Sequence, residues 1–187
     1  MSFQRSIRLS LDRIGVLVGK DGAVKSEIER RCNVLLSIDS KTGEVKIDSK
    51  GDITQSQPFK AIDIITAIGR GFSPQRAFKL LNEEMVLHVI DLRDYVGKSQ
   101  NSLERIKGRI IGLGGKSRRI IEELTDVYIS VFGHTVSIIG RADEVRLALD
   151  AIDMLASGSA HKTVYNMLQR ARTKAKMDRL KLWESQE

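Results

Sequence analysis

Residues 108–117, GRIIGLGGKS, pack four glycines, two basic residues and a serine into ten positions. Glycine bares the backbone, and Lys and Arg bring charge. Together they suit close contact with phosphate. The phosphate could belong to a nucleotide cofactor or to a nucleic-acid backbone. The P-loop pattern would use Gly115, Lys116 and Ser117, but it needs glycine at 110, where Ile110 stands. The dinucleotide pattern would use Gly112 and Gly114, but it needs glycine or alanine at 117, where Ser117 stands. Both templates also require a strand running into the loop. What precedes Gly112 instead has Leu103, Ile106, Ile110 and Ile111 at helical spacing, with Asn101 or Ser102 as the expected N-cap. The stretch is helix, glycine-rich turn, helix.

The elements that position this turn occur twice. Residues 13–39 and 106–132 align without a gap at an offset of 93. Gly15 meets Gly108, Gly19 meets Gly112, and Gly22 meets Gly115. Glu29 meets Glu122, and Cys32 meets Thr125. The shared element is [VI]-G-x-x-G between two apolar helices, so the nucleotide look-alikes of the second copy are incidental. The flanks repeat as well. Phe3, Arg5, Ile7 and Leu9 alternate as on a strand, and EEMVLHVIDL is a β-rich run in the matching place. Two short strands follow each helix pair: NVLLSID and GEVKID around SKTG, then DVYISV and TVSII around FGH. A helix closes each half. Its expected core stripe is Phe59, Ile62, Ile65 and Ile68 in the first, and Val145, Leu147, Leu149, Ile152 and Leu155 in the second.

The β-α-α-β-β-α order with a GXXG turn between the first two helices resembles the type I KH domain. The two loops are Gly19-Lys20-Asp21-Gly22 and Gly112-Leu113-Gly114-Gly115. The resemblance implies an α+β fold: two tandem KH domains, each a three-stranded antiparallel sheet covered by helices, plus a C-terminal helix. The expected domains are 1–71 and 85–158, with a helical linker at 72–84 and a basic helix at 159–187. A narrower resemblance rests on AIGRGFSPQRAFKLL, DYVGKSQNSLERIKGRIIG and the basic tail. It covers almost the whole chain and is to the small-subunit ribosome-assembly family called Partner of Nob, or Dim two, in its short archaeal form. That family implies binding of small-subunit ribosomal RNA near its 3′ end. It also implies work beside the endonuclease that trims that end, and contact with the alpha subunit of initiation factor two. Longer relatives have lost the first GXXG, which this chain keeps.

The KH module clamps about four nucleotides of single-stranded RNA on its GXXG loop. In the second copy Lys107, Arg109, Lys116, Arg118 and Arg119 give five cations and no acid over residues 107–119. Ile110 and the edge of the strand at 127–131 are expected to floor the base groove. In the first copy Lys20 is favourable, but Asp21 puts a carboxylate near phosphate, and Lys25 is followed by Glu27 and Glu29. The second loop is therefore the expected main reader.

Net charge is +7, from 31 Lys+Arg against 24 Asp+Glu, which fits a polyanionic partner. The tail from His161 carries seven Lys+Arg and three Asp+Glu. Its stripe of Val164, Met167, Leu168 and Ala171 is expected to dock, leaving Arg170, Arg172, Lys174 and Lys176 outside. Ser73 and Pro74 are the expected N-cap and first turn of a helix reaching about residue 82. Cys32 is the single cysteine and is expected in the core. His88, His134 and His161 match no metal-ligand spacing, and no nucleophile–base–acid set stands out. The expectation is a cytoplasmic protein with no catalytic residues, cofactor, metal or membrane attachment. A second reading fits the same residues: a scaffold that recruits an initiation factor or nuclease, with RNA contact secondary.

Overall fold

The computed structural model describes residues 3–51, 55–97 and 99–184; the last residues of the expected tail, 185–187, lie outside it. The chain forms two compact units, Met1–Leu87 and His88–Glu187.

Unit one runs β1 (Gln4–Arg8), α1 (Leu11–Val18), a 3-10 turn (Lys20–Gly22), α2 (Ala23–Cys32), β2 (Val34–Ile38), β3 (Glu44–Ser49) and α3 (Pro58–Gly69). The short helix α4 (Pro74–Ala77) continues into a 3-10 turn (Phe78–Leu81). The sheet order is β1-β3-β2, with both pairings antiparallel. Register places Ile7 beside Val45, and Leu36 beside Ile47. These positions alternate with exposed Ser6, Leu35 and Lys46, so one face of the sheet meets the helices. Leu17, Ile28, Ile64, Ile65 and Ile68 close the core from the helix side.

Spacing alone puts Phe59 on the buried stripe of α3, but it is 63% exposed and packs edge-on against Phe3 at 5.4 Å. The buried stripe is set by Pro58, Ala61, Ile64, Ile65 and Ile68, which turns the position after Pro58 outward. Segment 72–84 is packed on unit one. Phe72, Ala77 and Leu80 are buried, Ser73 Oγ accepts the Arg76 N–H as the expected cap, and Lys60 Nζ donates to Leu80 O and Asn82 O.

The second set of elements is β4 (Met85–Asp91), α5 (Arg93–Val96), α6 (Gln100–Ile111), a 3-10 turn (Leu113–Gly115), α7 (Lys116–Thr125), β5 (Tyr128–Phe132), β6 (Thr135–Arg141), α8 (Ala142–Ala156) and α9 (His161–Glu184). The sheet order is β4-β6-β5, the same order as in the first sheet. The N-cap of α6 is Ser99, whose Oγ accepts the Ser102 N–H; Asn101 and Ser102 lie inside the first turn. On α8 the fully buried positions fall to Val145, Ala148, Ala151, Ile152 and Leu155, while Leu147 and Leu149 pack at the margin. Val164 and Leu168 of α9 are fully buried in the same core, with Met167 beside them, so the expected docking stripe docks. From Arg172 to Trp183 every residue of α9 is exposed.

The two halves end their post-loop helices alike. Asn33 and Asp126 follow α2 and α7 in the left-handed region, at φ 52 and 58. Cys32, just before Asn33, is 1% exposed, and burial pushes its thiol up to about 11. The neutral thiol is a poor nucleophile. Iodoacetamide at pH 8 is therefore expected to leave Cys32 unmodified in the folded protein and to alkylate it in denaturant, as read by mass spectrometry. Fast native alkylation would contradict this packing. Among the described residues no helix is long and apolar enough to cross a membrane, and no group of three or more His, Cys, Asp and Glu is placed to hold a metal ion.

Candidate nucleic-acid interface

The two GXXG turns have the same backbone. Gly19 and Gly112 open them at φ 74, ψ 177 and φ 72, ψ 172. Asp21 and Gly114 are left-handed at φ 53, ψ 28 and φ 58, ψ 24. Gly22 and Gly115 end the turns at φ 76, ψ 13 and φ 77, ψ 14, and each is the N-cap of the helix that follows. Gly19 N–H donates to Gly15 O, and Gly112 N–H to Gly108 O. Gly22 N–H and Gly115 N–H reach back to Gly19 O and Gly112 O.

The glycines serve different needs. A Cβ on Gly19 would sit 2.5 Å from Val24 Cγ2, and one on Gly112 would sit 2.7 Å from the Ser117 backbone N. These glycines let the two helices touch. A Cβ on Gly22 or Gly115 would meet nothing within 4 Å; the positive φ alone asks for glycine there. Gly15 and Gly108 lie inside helices with nothing within 4 Å of an added Cβ. Helix-interior glycine costs roughly 1 kcal/mol relative to alanine. The fold does not need these two, and they leave a bare helix face beside each loop.

The side chains separate the copies. At the second loop Leu113 is 96% exposed. Lys116 and Arg119 lie on the first turn of α7, and Arg119 donates to Gly114 O at 3.0 Å, bracing the turn. Arg118 Nε lies 3.9 Å from Glu122 Oε2. The helix N-terminus adds its own positive end. At the first loop Lys20 and Asp21 are both exposed, and Lys25 Nζ lies 3.9 Å from Glu29 Oε1. Asp21 holds a left-handed conformation that costs an ordinary L-residue about 1–2 kcal/mol, less for Asp.

Two residues expected at the second site do other work. The Arg109 guanidinium donates to Leu155 O and Ser159 O, tying α6 to the C-terminal end of α8. That end carries the helix's negative dipole, which draws the cation away from the loop. His161 Nε2 lies 2.9 Å from Arg109 O on the same tie. Unit one has a counterpart in Arg13, which donates to Ile68 O and Phe72 O beyond α3. Ile110 is fully buried in the core, because the helix face at Leu103, Ile106 and Ile110 points at the sheet; it does not floor a groove. Lys107 pairs with Glu104 at 3.1 Å. The cations clustered at the loop are thus Lys116, Arg118 and Arg119.

The sequence hid one further contact. Glu29 Oε1 accepts the Leu36 N–H at 2.8 Å, and Glu122 Oε1 accepts the Ile129 N–H at 2.7 Å. The aligned glutamates were the signal, but their strand partner is a backbone group that leaves no mark in the sequence.

The duplicated sheet-and-helix units with GXXG turns define a tandem KH-domain protein of type I. Residues 86–173 match the family of the second KH domain of PNO1, a eukaryotic-type KH domain (KH-domain type I). The chain belongs to the PNO1/Dim2 family of KH-domain proteins, in its archaeal form. It is 47% identical over 181 residues to a KH domain-containing protein of Methanocaldococcus jannaschii, covering 95% of this chain and 78% of that one. It is 45% identical, with a TM-score of 0.85, to a chain of the a/eIF2alpha–aDim2p–rRNA complex from Pyrococcus horikoshii OT3, covering 92% and 96%. It is 30% identical to the pre-rRNA-processing protein pno1 of Schizosaccharomyces pombe over 63% of this chain and 49% of that one.

Three variants check the geometry. Gly112→Ala combines a positive φ with a backbone clash, and is expected to lower unfolding stability by about 1–3 kcal/mol; Gly115→Ala carries the φ strain alone and should cost less. Ile110→Ala is expected to cost about 2–5 kcal/mol in urea unfolding while leaving the RNA affinity of the folded protein unchanged.

Proposed function

We propose that this chain is a non-catalytic assembly factor of the small ribosomal subunit. It holds single-stranded ribosomal RNA near the 3′ end through its second GXXG loop. The observation that carries the reading is the second loop itself. Its backbone permits close approach, Leu113 stands clear at its tip, and Lys116, Arg118 and Arg119 follow it. Phosphates set the register there, and base edges supply selectivity. The working site is Gly112, Leu113, Gly114, Gly115, Lys116, Arg118 and Arg119, with Lys107 at its margin. Gly19, Lys20, Gly22 and Lys25 form a weaker site, because Asp21 adds a carboxylate to the same turn. The RNA-holding domain is taken as 85–158, with 1–71 as its partner domain. Kinship with a protein solved together with rRNA and a/eIF2alpha supports both RNA and the initiation-factor alpha subunit as partners. Pre-rRNA processing, the task in the fission-yeast relative's name, fits work beside the 3′-end nuclease in the cytoplasm.

A second reading, protein recruitment through the first domain and the tail, draws support from Asp21 and from the exposed run Arg172–Trp183. Fluorescence anisotropy with an RNA copied from the 3′ end of small-subunit RNA, against a scrambled control, separates the two. Leu113→Asp/Gly114→Asp is expected to abolish preferential binding, and Lys20→Asp only to weaken it. The slope of log K on log salt is expected to be several units, at about −0.7 per neutralised phosphate. Binding indifferent to both variants would favour recruitment.

A further inference from the structure

Unit two carries an element that its own repeat lacks. Residues 9–10 separate β1 from α1, but residues 92–99 separate β4 from α6, and they include α5. At the repeat offset Leu11, the start of α1, matches Glu104, whereas α6 already begins at Gln100, about one turn earlier. This extra structure helps to form a cleft of about 500 Å³, a volume that suits a small ligand. Tyr95 and Val96 of α5 line it with Ser102, Arg105, Ile106 and Arg109 of α6 and the end of α8. Its two cations differ. Arg109 is committed to Leu155 O and Ser159 O. Arg105 is exposed and makes no hydrogen bond or ion pair with the described residues. The matching position in unit one is Asp12. Tyr95 donates its phenol proton to Asp153, which holds the ring in place while leaving the residue 38% exposed.

We infer that this cleft is a further nucleotide site, outside the GXXG clamp, which takes an RNA base against the Tyr95 ring and a backbone phosphate on Arg105. The inference rests on the proposed RNA reading, in which phosphates sit on the Gly112–Gly115 turn. Helical phase supplies the route between the two. Arg105, Gly108 and Gly112 stand at i, i+3 and i+7, on one face of α6. A Cβ on Gly108 would meet nothing within 4 Å, so a strand can pass close to the bare helix there. At about 1.5 Å per residue, Arg105 lies roughly 10 Å along α6 from Gly112. That is the length of about three stacked nucleotides. An aromatic ring stacks on any base, and a guanidinium grips phosphate with a fork of N–H groups. Glu104 and Asp153, acids at the margin, are engaged by Lys107 and by the phenol. The apolar lining is confined to Val96, Ile106 and Ala156, which suits a nucleotide better than an apolar peptide anchor.

The test uses the full chain and fluorescence anisotropy with two oligoadenylates, one of about four nucleotides and one about twice as long. The shorter fills only the GXXG clamp, which holds about four. Tyr95→Ala is expected to weaken binding of the longer one at least about fivefold, the low end for one stacked base. Tyr95→Phe keeps the ring and is expected to bind as wild type does. Arg105→Gln is expected to lower the slope of log K on log salt by about 0.7 for the longer one, the share of one phosphate. All three variants should bind the shorter one as wild type does. Arg105 is exposed, so its variant tests the site even where Tyr95→Ala disturbs α5. Binding of the longer one that is indifferent to Arg105→Gln, or losses equal at both lengths, would overturn the inference and leave the RNA reading standing. If Leu113→Asp/Gly114→Asp leaves binding of the shorter one untouched, the RNA reading itself fails and takes the inference with it.

Discussion

In each half two helices meet at a four-residue turn with no room for a side chain between them. At Gly19 an added methyl would enter Val24, and at Gly112 it would enter the backbone of Ser117. That contact fixes the direction in which α2 and α7 leave the turn. The direction then decides where the first-turn cations point and which strand edge the helix can reach. A looser junction would still bury Ile28 and Ile121, but it would not hold the turn in one shape.

The shared backbone makes the divergence of the side chains meaningful. The two turns agree to within a few degrees at most positions, so the copies differ by chemistry and not by shape. Asp21 occupies a left-handed position that Gly114 fills without strain. The first turn therefore keeps its geometry while presenting mixed charge, and the second carries no charge of its own, with the cations Lys116, Arg118 and Arg119 following it on α7. Two modules with one scaffold and unequal charge can divide labour between polyanion and protein partners. Net positive charge alone would not indicate such a division.

Much of this was legible in the sequence. The glycine offsets, the strand alternations and the stripe at Val164 and Leu168 all follow from periodicities that the chain cannot disguise. What was not legible depended on neighbours distant in the chain. Arg109 counts as a loop cation by sequence, yet the carbonyl end of α8, 46 residues away at Leu155, claims it. Ile110 adjoins the loop, yet helical phase turns it inward. Phe59 matches a stripe by spacing, yet Ala61 and Ile64 define a different one. The cap at Ser99 is hard to read because three candidate residues crowd one turn, and only the hydrogen bond to Ser102 tells them apart. Each miss is a competition between two plausible partners, settled by tertiary placement.

The bond from Glu29 to Leu36, and from Glu122 to Ile129, joins a side chain to a main-chain N–H. Any residue except proline supplies that N–H. The strand position is therefore free to drift among core-compatible residues while the glutamate stays fixed, as leucine in one copy and isoleucine in the other already illustrate. The two modules can accumulate different sheets and retain one brace. A proline arriving at 36 or 129 would be the rare change that breaks the brace without touching the acid.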